Sequence, residues 1–255
     1  FVSLMTKRIF NVLLVANPYD AFMLEDDGRI DEKIFIEYMN LSLRYPPRFT
    51  IASEEREVKE LLQARNFDLI IAMPTTDNNY ILGLVKELRK DNPDIPIVVL
   101  TPFSREVFSR VFSEEDFSSI DYVFSWLGNS DLLLAIVKLL EDKMNVDDDV
   151  NSVGVQVILF VEDSIHFYSS ILPHLYRYVF LQSRSFMTEA LNDHQQMLRM
   201  RGRPKILLAR NYEEAVFLYK KFEKNILGVI SDVRFPKDGI MNSFSGIELC
   251  QKIRD

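Results

Sequence analysis

The feature that most constrains the fold of this chain is an alternation between two kinds of apolar spacing. Short β-type runs are each followed by a stretch whose apolar residues recur at helical intervals. NVLLVAN (11–17) precedes IDEKIFIEYMNLSL, in which Ile30, Ile34, Tyr38 and Leu41 fall on one helical face. RFTIAS (48–53) precedes EEREVKELLQAR, which Ser53 opens with Arg56 where a capping box would want Glu. FDLIIAM (67–73) leads to YILGLVKELRKD, DIPIVVL (94–100) to SREVFSRVF, and IDYVFSW (120–126) to LLLAIVKLLEDKM. Parallel strands joined by helices are the economical packing for five such pairs. The spacing predicts a doubly wound α/β domain over 1–145.

The stretch NVDDDVNSVG (145–154) is polar and acidic and lacks apolar periodicity, which predicts a linker over 146–154 with Asp147, Asp148 and Asp149 solvated. The alternation then restarts. VQVILFV (155–161) runs into a helical stretch from Ser164 with Phe167, Ile171, Leu172 and Leu175 on one face. KILLAR (205–210) is followed by NYEEAVFLYKKFEK, where Asn211 caps and Glu214 takes the third helical position. ILGVISD (226–232) comes next, then a polar loop and the helical pattern GIELCQKIRD, on which Cys250 is expected as a small core residue. The second domain, 155–255, repeats the order of the first with three strands, and its sheet is expected to have an exposed edge. The chain opens FVSLMTKRIF without an initiator methionine and stops inside a helical pattern, as an excised piece would.

Composition narrows the function classes. A formal net charge of -8, with no Lys/Arg cluster standing free of acids, argues against a nucleic-acid surface. The longest apolar runs fall far short of the roughly 20 residues of a membrane span. One cysteine among 255 residues excludes an internal disulfide framework and a cysteine metal cluster, which suits a cytoplasmic setting. His166, His174 and His194 lack ligand spacing to one another and read as surface or packing residues.

Chemistry is expected at strand ends, because open parallel sheets bind ligands beyond the carboxyl ends of their strands. Glu162 and Asp163 end the first strand of the second repeat, and Asp232 ends the third. In flavodoxin-like order those strands are neighbours, so the three carboxylates meet. They cannot all stay ionised at close range unless a cation is shared, and hard oxygen ligands in an incomplete cage suit Mg²⁺. The chemistry inferred is phosphoryl transfer to a carboxylate. Asp232, alone at its strand end, is the better nucleophile.

VILFVEDS and GVISDVRFPKDG, with SGIEL following, resemble the response-regulator receiver domain. The resemblance implies Asp232 as phosphoacceptor, Asp163 as direct Mg²⁺ ligand, Glu162 as a ligand acting mainly through water, and the backbone carbonyl of Arg234 as the third protein ligand. It also implies a histidine kinase or phosphotransfer protein as phosphodonor, a Ser or Thr and a Lys beyond Asp255, and no catalytic residues of an independent enzyme. The first repeat resembles the same fold with its chemistry removed: Asn17 and Pro18 stand near the acidic pair's place, Met73 at the acceptor, Thr101 at the hydroxyl position and Ser125 in place of the lysine. The expected fold is thus two flavodoxin-like (βα)5 receiver domains, the first a non-phosphorylatable pseudo-receiver and the second truncated after its third strand.

A narrower resemblance covers LPHLYRYVFLQSRSFMTEALNDHQQMLRMRGRPKILLARNYEEA, which is similar to receiver modules fused to phosphoenolpyruvate synthase or pyruvate phosphate dikinase-type nucleotide-binding domains. It implies a regulatory part of a larger protein, with a downstream domain of the same chain as partner. The helical stretch around 164–200, with Met187, Leu191, Met197 and Leu198 near helical spacing, is a candidate homodimerisation arm. A scaffold that assembles without transferring phosphate is the alternative.

Overall fold

The computed structural model describes residues 4–25, 29–74, 80–101, 118–126, 130–185 and 200–254. The helix expected over SREVFSRVF, His194 and the 186–199 part of the candidate arm, with Met187, Leu191, Met197 and Leu198, lie outside them. The chain divides into two compact units, Arg8–Leu134 and Ala135–Asp255 with Phe1–Lys7.

In the first unit, β1 (Asn11–Val15), β2 (Arg48–Ala52), β3 (Leu69–Ala72), β4 (Ile97–Thr101) and β5 (Tyr122–Ser125) form a parallel sheet in the order β2-β1-β3-β4-β5. This is the flavodoxin-like order. The central strands are buried along their whole length, as expected for a sheet covered on both faces. The first connection holds two helices, α1 (Pro18–Glu25) and α2 (Ile30–Asn40). α1 begins at a proline, whose missing N–H costs nothing in a first turn. α2 buries Ile30, Ile34 and Tyr38, the face its spacing predicts. α3 (Glu55–Ala64) and α4 (Tyr80–Asp91) follow β2 and β3. Glu54 stands at the N-cap of α3 and Ser53 donates its backbone N–H to the Glu57 carboxylate at 2.9 Å, so the glutamate half of a capping box is present one position later than expected.

α5 (Asp131–Val153) begins in the first unit and continues into the second. Its last turns occupy the residues expected to form a linker. The acids there have partners: Asp147 pairs with Lys221, Asp148 with Lys7 and the buried Asp149 with Lys205. Val146 belongs to the second unit's core. A charged stretch with few apolar residues stays helical here because buried cations from later in the chain meet it.

The centre of that arrangement is Asp142, fully buried. Both its oxygens accept from Arg203 at 2.8 and 2.9 Å, and Oδ2 also accepts from the Tyr176 hydroxyl and the Ile206 backbone N–H at 3.0 Å each. The Arg203 guanidinium lies over Tyr176 and Phe180. Lys205, also fully buried, ion-pairs with Asp149 at 2.8 Å and donates to the Arg201 carbonyl. Burial pulls its pKa down, and Asp142 opposes that effect. Removing one member of such a network strands a charge, at a cost of about 3–5 kcal/mol.

The second unit's sheet has the order β7-β6-β8, with β6 (Val157–Val161) between β7 (Lys205–Ala209) and β8 (Ile226–Ser231), all parallel. It therefore has three strands of the flavodoxin-like arrangement. Among the described residues β8 pairs only with β6, and Leu227 and Ile230 on it are exposed. α6 (Ile165–Ser185) buries Tyr168, Leu172, Tyr176, Val179 and Phe180, while Phe167 and Ile171 face outward. The buried stripe is one residue out of phase with the expected Phe167, Ile171, Leu172 and Leu175 face, because its tyrosines serve as core residues. α7 (Tyr212–Phe222) is capped as predicted: the Asn211 side chain accepts from the Glu214 backbone N–H at 2.8 Å, and the Glu214 carboxylate accepts from Arg210 N–H.

The loop expected after β8 contains a hairpin, β9 (Phe235–Lys237) and β10 (Ile240–Asn242), turned at Asp238 and Gly239 with φ of 51° and 76°. Paired positive φ angles are what a two-residue hairpin turn requires, and Asp-Gly provides them cheaply. α8 (Ser245–Arg254) buries Ser245, Gly246 and Leu249. Cys250, expected in the core, is exposed, one residue round the helix from Leu249. Among the described residues no helix is long and apolar enough to cross a membrane.

Candidate functional site

The register of β6 against β8 fixes the site. Val161 pairs with Ser231, so the residues that follow each leave the sheet side by side. The Asp232 backbone N–H donates to Val161 O at 2.9 Å, and the Glu162 N–H donates to Ala209 O at 3.0 Å. Both acids are thus held to neighbouring strands at the residue where the sheet ends.

One carboxylate oxygen from each of Glu162, Asp163 and Asp232 lies within 4.8 Å of the others. Glu162 is buried, Asp163 half-buried and Asp232 exposed. Two ionised carboxylates at such a distance repel by roughly 1 kcal/mol in water and by a few kcal/mol at an effective dielectric of about 20. The effect is visible on Glu162, whose pKa is raised above the ordinary glutamate value. Burial is the largest cause, the Ser164 backbone N–H opposes it, and the charges of Asp232 and Asp163 add to it. That N–H donates to Glu162 Oε1 at 2.9 Å, fixing one oxygen. Asp232 Oδ1 accepts from the Val233 N–H at 2.7 Å.

The donor set consists of oxygens alone, graded from buried to exposed. Ligand atoms on opposite sides of a Mg²⁺ stand about 4.2 Å apart, so the cluster needs only a small contraction to fit it. The exposed side leaves room for the waters that Mg²⁺ retains. Among the described residues this is the group of three carboxylate, histidine or cysteine side chains that meets within such a distance. Arg234, whose carbonyl the resemblance adds to the set, lies exposed two residues beyond Asp232.

The corresponding strand ends of the first unit carry different chemistry. Asn17 follows β1 and caps α1, accepting from the Asp20 N–H at 2.8 Å and donating its amide to the Asp20 carboxylate at 2.8 Å. Met73, after β3, is buried, and its N–H donates to Val15 O. Thr101 and Ser125 end β4 and β5, both buried. Asp20 is an acid at this end that the strand-end reading passed over; burial raises its pKa and the Asn17 amide opposes the rise. Its signal in the sequence is the Asn-x-x-Asp spacing, which marks a helix cap.

No family model matches the chain, and no curated protein is matched by it. Among solved structures, the chain is similar to the response regulator TrrA from Thermotoga maritima in complex with Mg²⁺ and BeF, with 21% identity over 51% of this chain and 97% of that one and a TM-score of 0.36. It is similar to the receiver domain of the Francisella response regulator 1452, with 19% identity, coverages of 53% and 98% and a TM-score of 0.37. TrrA in its complex with the histidine kinase ThkA matches with 21% identity, coverages of 51% and 97% and a TM-score of 0.37. Similarity at this level is slight, and the fold assignment rests on the strand order of the chain itself.

Proposed function

We propose that the second unit is a Mg²⁺-dependent phosphoryl-accepting receiver, with Asp232 as the acceptor. The observation that carries this reading is the convergence of Glu162, Asp163 and Asp232 at the ends of adjacent parallel strands. Asp163, Asp232 and the Arg234 carbonyl hold the metal directly, and the buried Glu162 acts mainly through a bound water. Held by these residues, Mg²⁺ would supply the positive charge that offsets the cluster and the incoming phosphoryl oxygens.

An Asp232 carboxylate oxygen then forms a bond to phosphorus as the phosphorus–nitrogen bond of a donor phosphohistidine breaks; the imidazole keeps the bonding electron pair. The donor is a histidine kinase or a phosphotransfer protein. The first unit is a pseudo-receiver, since the thioether at Met73 offers no nucleophilic oxygen and Asn17 is committed to its helix cap. Together the units regulate a larger protein, for which a phosphoenolpyruvate synthase-like downstream domain is the proposed partner.

Labelling with acetyl phosphate and Mg²⁺ tests the reading. In the intact second receiver, extended through its Ser or Thr and Lys, one base-labile phosphoryl group is expected, absent when EDTA replaces Mg²⁺ and absent in Asp232→Asn. Equal labelling of that variant refutes the assignment and leaves an assembly scaffold.

A further inference from the structure

We infer that Gly246 and Ser245, the first residues of α8, are positioning residues that set the Asp232 carboxylate on its metal, and that the intervening hairpin is a separable appendage. The inference rests on the reading of Asp232 as a metal-binding acceptor and assigns that site two residues which touch neither metal nor phosphate.

The backbone after β8 is held from two sides. On one, the Asp232 N–H bonds Val161 O. On the other, the Gly246 N–H donates to Val233 O at 3.0 Å, and the Ser245 hydroxyl donates to Phe235 O at 2.8 Å. Ser245 and Phe235 are fully buried, so neither group has water as a substitute. The first turn of α8 therefore grips the segment that carries the acceptor and the Arg234 carbonyl.

Gly246 is required there by contact rather than by an unusual φ. A Cβ on it would lie 2.3 Å from Asp232 O and 2.8 Å from Val233 Cα, both main-chain atoms. Ordinary contact would demand a shift of about 1 Å, which main chain bonded on both sides cannot absorb locally. Misplacement on that scale is enough to spoil a metal or reaction geometry. The nearer of these atoms belongs to Asp232, whose side chain completes the cluster, and the other to the residue that follows it.

The hairpin lies between these two points of attachment. It leaves at Phe235, whose carbonyl Ser245 holds, and returns at Asn242, whose side chain accepts from the Phe244 N–H. Its outer contacts run to other elements: the Asp238 N–H to Glu213, and Lys237 to Glu248 and over the Tyr212 ring. Ile240 at its tip is exposed. The tip residue itself lies beyond these attachments to α7 and α8.

The test is Mg²⁺ titration of the whole chain by calorimetry, with metal-free melting temperature and the Val233 amide resonance as accompanying readouts. Gly246→Ala and Ser245→Ala are expected to weaken Mg²⁺ binding by about tenfold to a hundredfold, the range for residues that orient metal ligands. Both should displace the metal-free Val233 resonance, and Ile240→Ser should change neither quantity. Wild-type affinity in both variants, with a lowered melting temperature alone, overturns the inference. Absence of Mg²⁺ binding by the wild-type chain refutes the acceptor reading instead; an unmoved Val233 resonance in Ser245→Ala and Gly246→Ala would then still overturn the positioning role. If Gly246→Ala fails to fold, Ser245→Ala decides.

Discussion

At the end of its third strand the first unit carries Met73, and the second carries Asp232. The backbones there are held alike: the Met73 N–H bonds Val15 O and the Asp232 N–H bonds Val161 O, each the last residue of its unit's first strand. Their surroundings differ. β3 lies between β1 and β4 and is buried throughout, whereas β8 is paired on one side among the described residues and is half exposed. A thioether is at home at the end of a covered strand and a carboxylate at the end of an open one. The same main-chain frame thus supports a packing residue in one place and a proposed metal ligand in the other, and side chain and surroundings together decide which.

The comparison can be broken most forcefully through the buried charges of the second unit. Asp142→Ala should destabilise that unit by about 3–5 kcal/mol by stranding Arg203. Chemical denaturation followed by hydrogen exchange should show the loss confined to residues after Ala135, with β1 to β5 protected as before. Next in size is Met73→Asp, which plants an acid in the first unit. Asn17 stands where the second unit has an acid that could share a cation, so burial raises the new carboxyl's pKa uncompensated, at a cost of about 3 kcal/mol at neutral pH. Because the folded pKa is the higher one, the penalty should grow as pH rises from 5 to 8. Thermal melts across that range check it, and no Mg²⁺ binding should appear in the first unit.

Glu162→Gln sharpens the comparison from the other side. Mg²⁺ affinity should fall about tenfold, the cost of losing a residue that orients the metal's water. The metal-free protein should nevertheless melt higher at neutral pH. The sign follows from the raised pKa of Glu162: its favourable contribution is complete below about 4.5 and is lost as pH rises through the folded value. The melting difference between variant and wild type should therefore widen from pH 4 to pH 7 and shrink when Mg²⁺ is added. The smallest effect is expected from Lys59→Met. Lys59 bridges Glu55 and Glu87, yet these side chains are largely solvated, and exposed pairs contribute little. Its melting curve should overlay the wild type's.

Much of this architecture can be read from period and punctuation. Strands β1 to β8 lie in the apolar runs that suggested them, and the Asn211–Glu214 cap follows from its spacing. The meeting of the three acids was foreseeable because strand order follows from a small set of α/β topologies, and order alone makes β6 and β8 neighbours. What escaped the sequence depended on contacts distant along the chain. The acidic turns of α5 are helical because Arg203, Lys205 and Lys221 arrive from elsewhere, which no local window contains. The phase of α6 departs from the Phe167–Ile171 stripe because Tyr168 and Tyr176, amphipathic in sequence, are among its most buried residues. The β9–β10 hairpin reads as a loop in the sequence, since its strands of three residues are too short for alternation to show.

The way α5 is tied down also governs how the molecule can be dissected. Asp149 accepts from the Met5 N–H, and Asn145 exchanges two bonds with the backbone of Lys7, so the opening residues of the chain are stitched to a helix more than a hundred positions away. A clone of the second unit begun at Gly154 would discard Asp142, Asp149 and Val146 together, leaving two interior cations facing an empty groove. An expression boundary before Ala135 keeps the helix, and a design that also restores the first seven residues keeps its fastening.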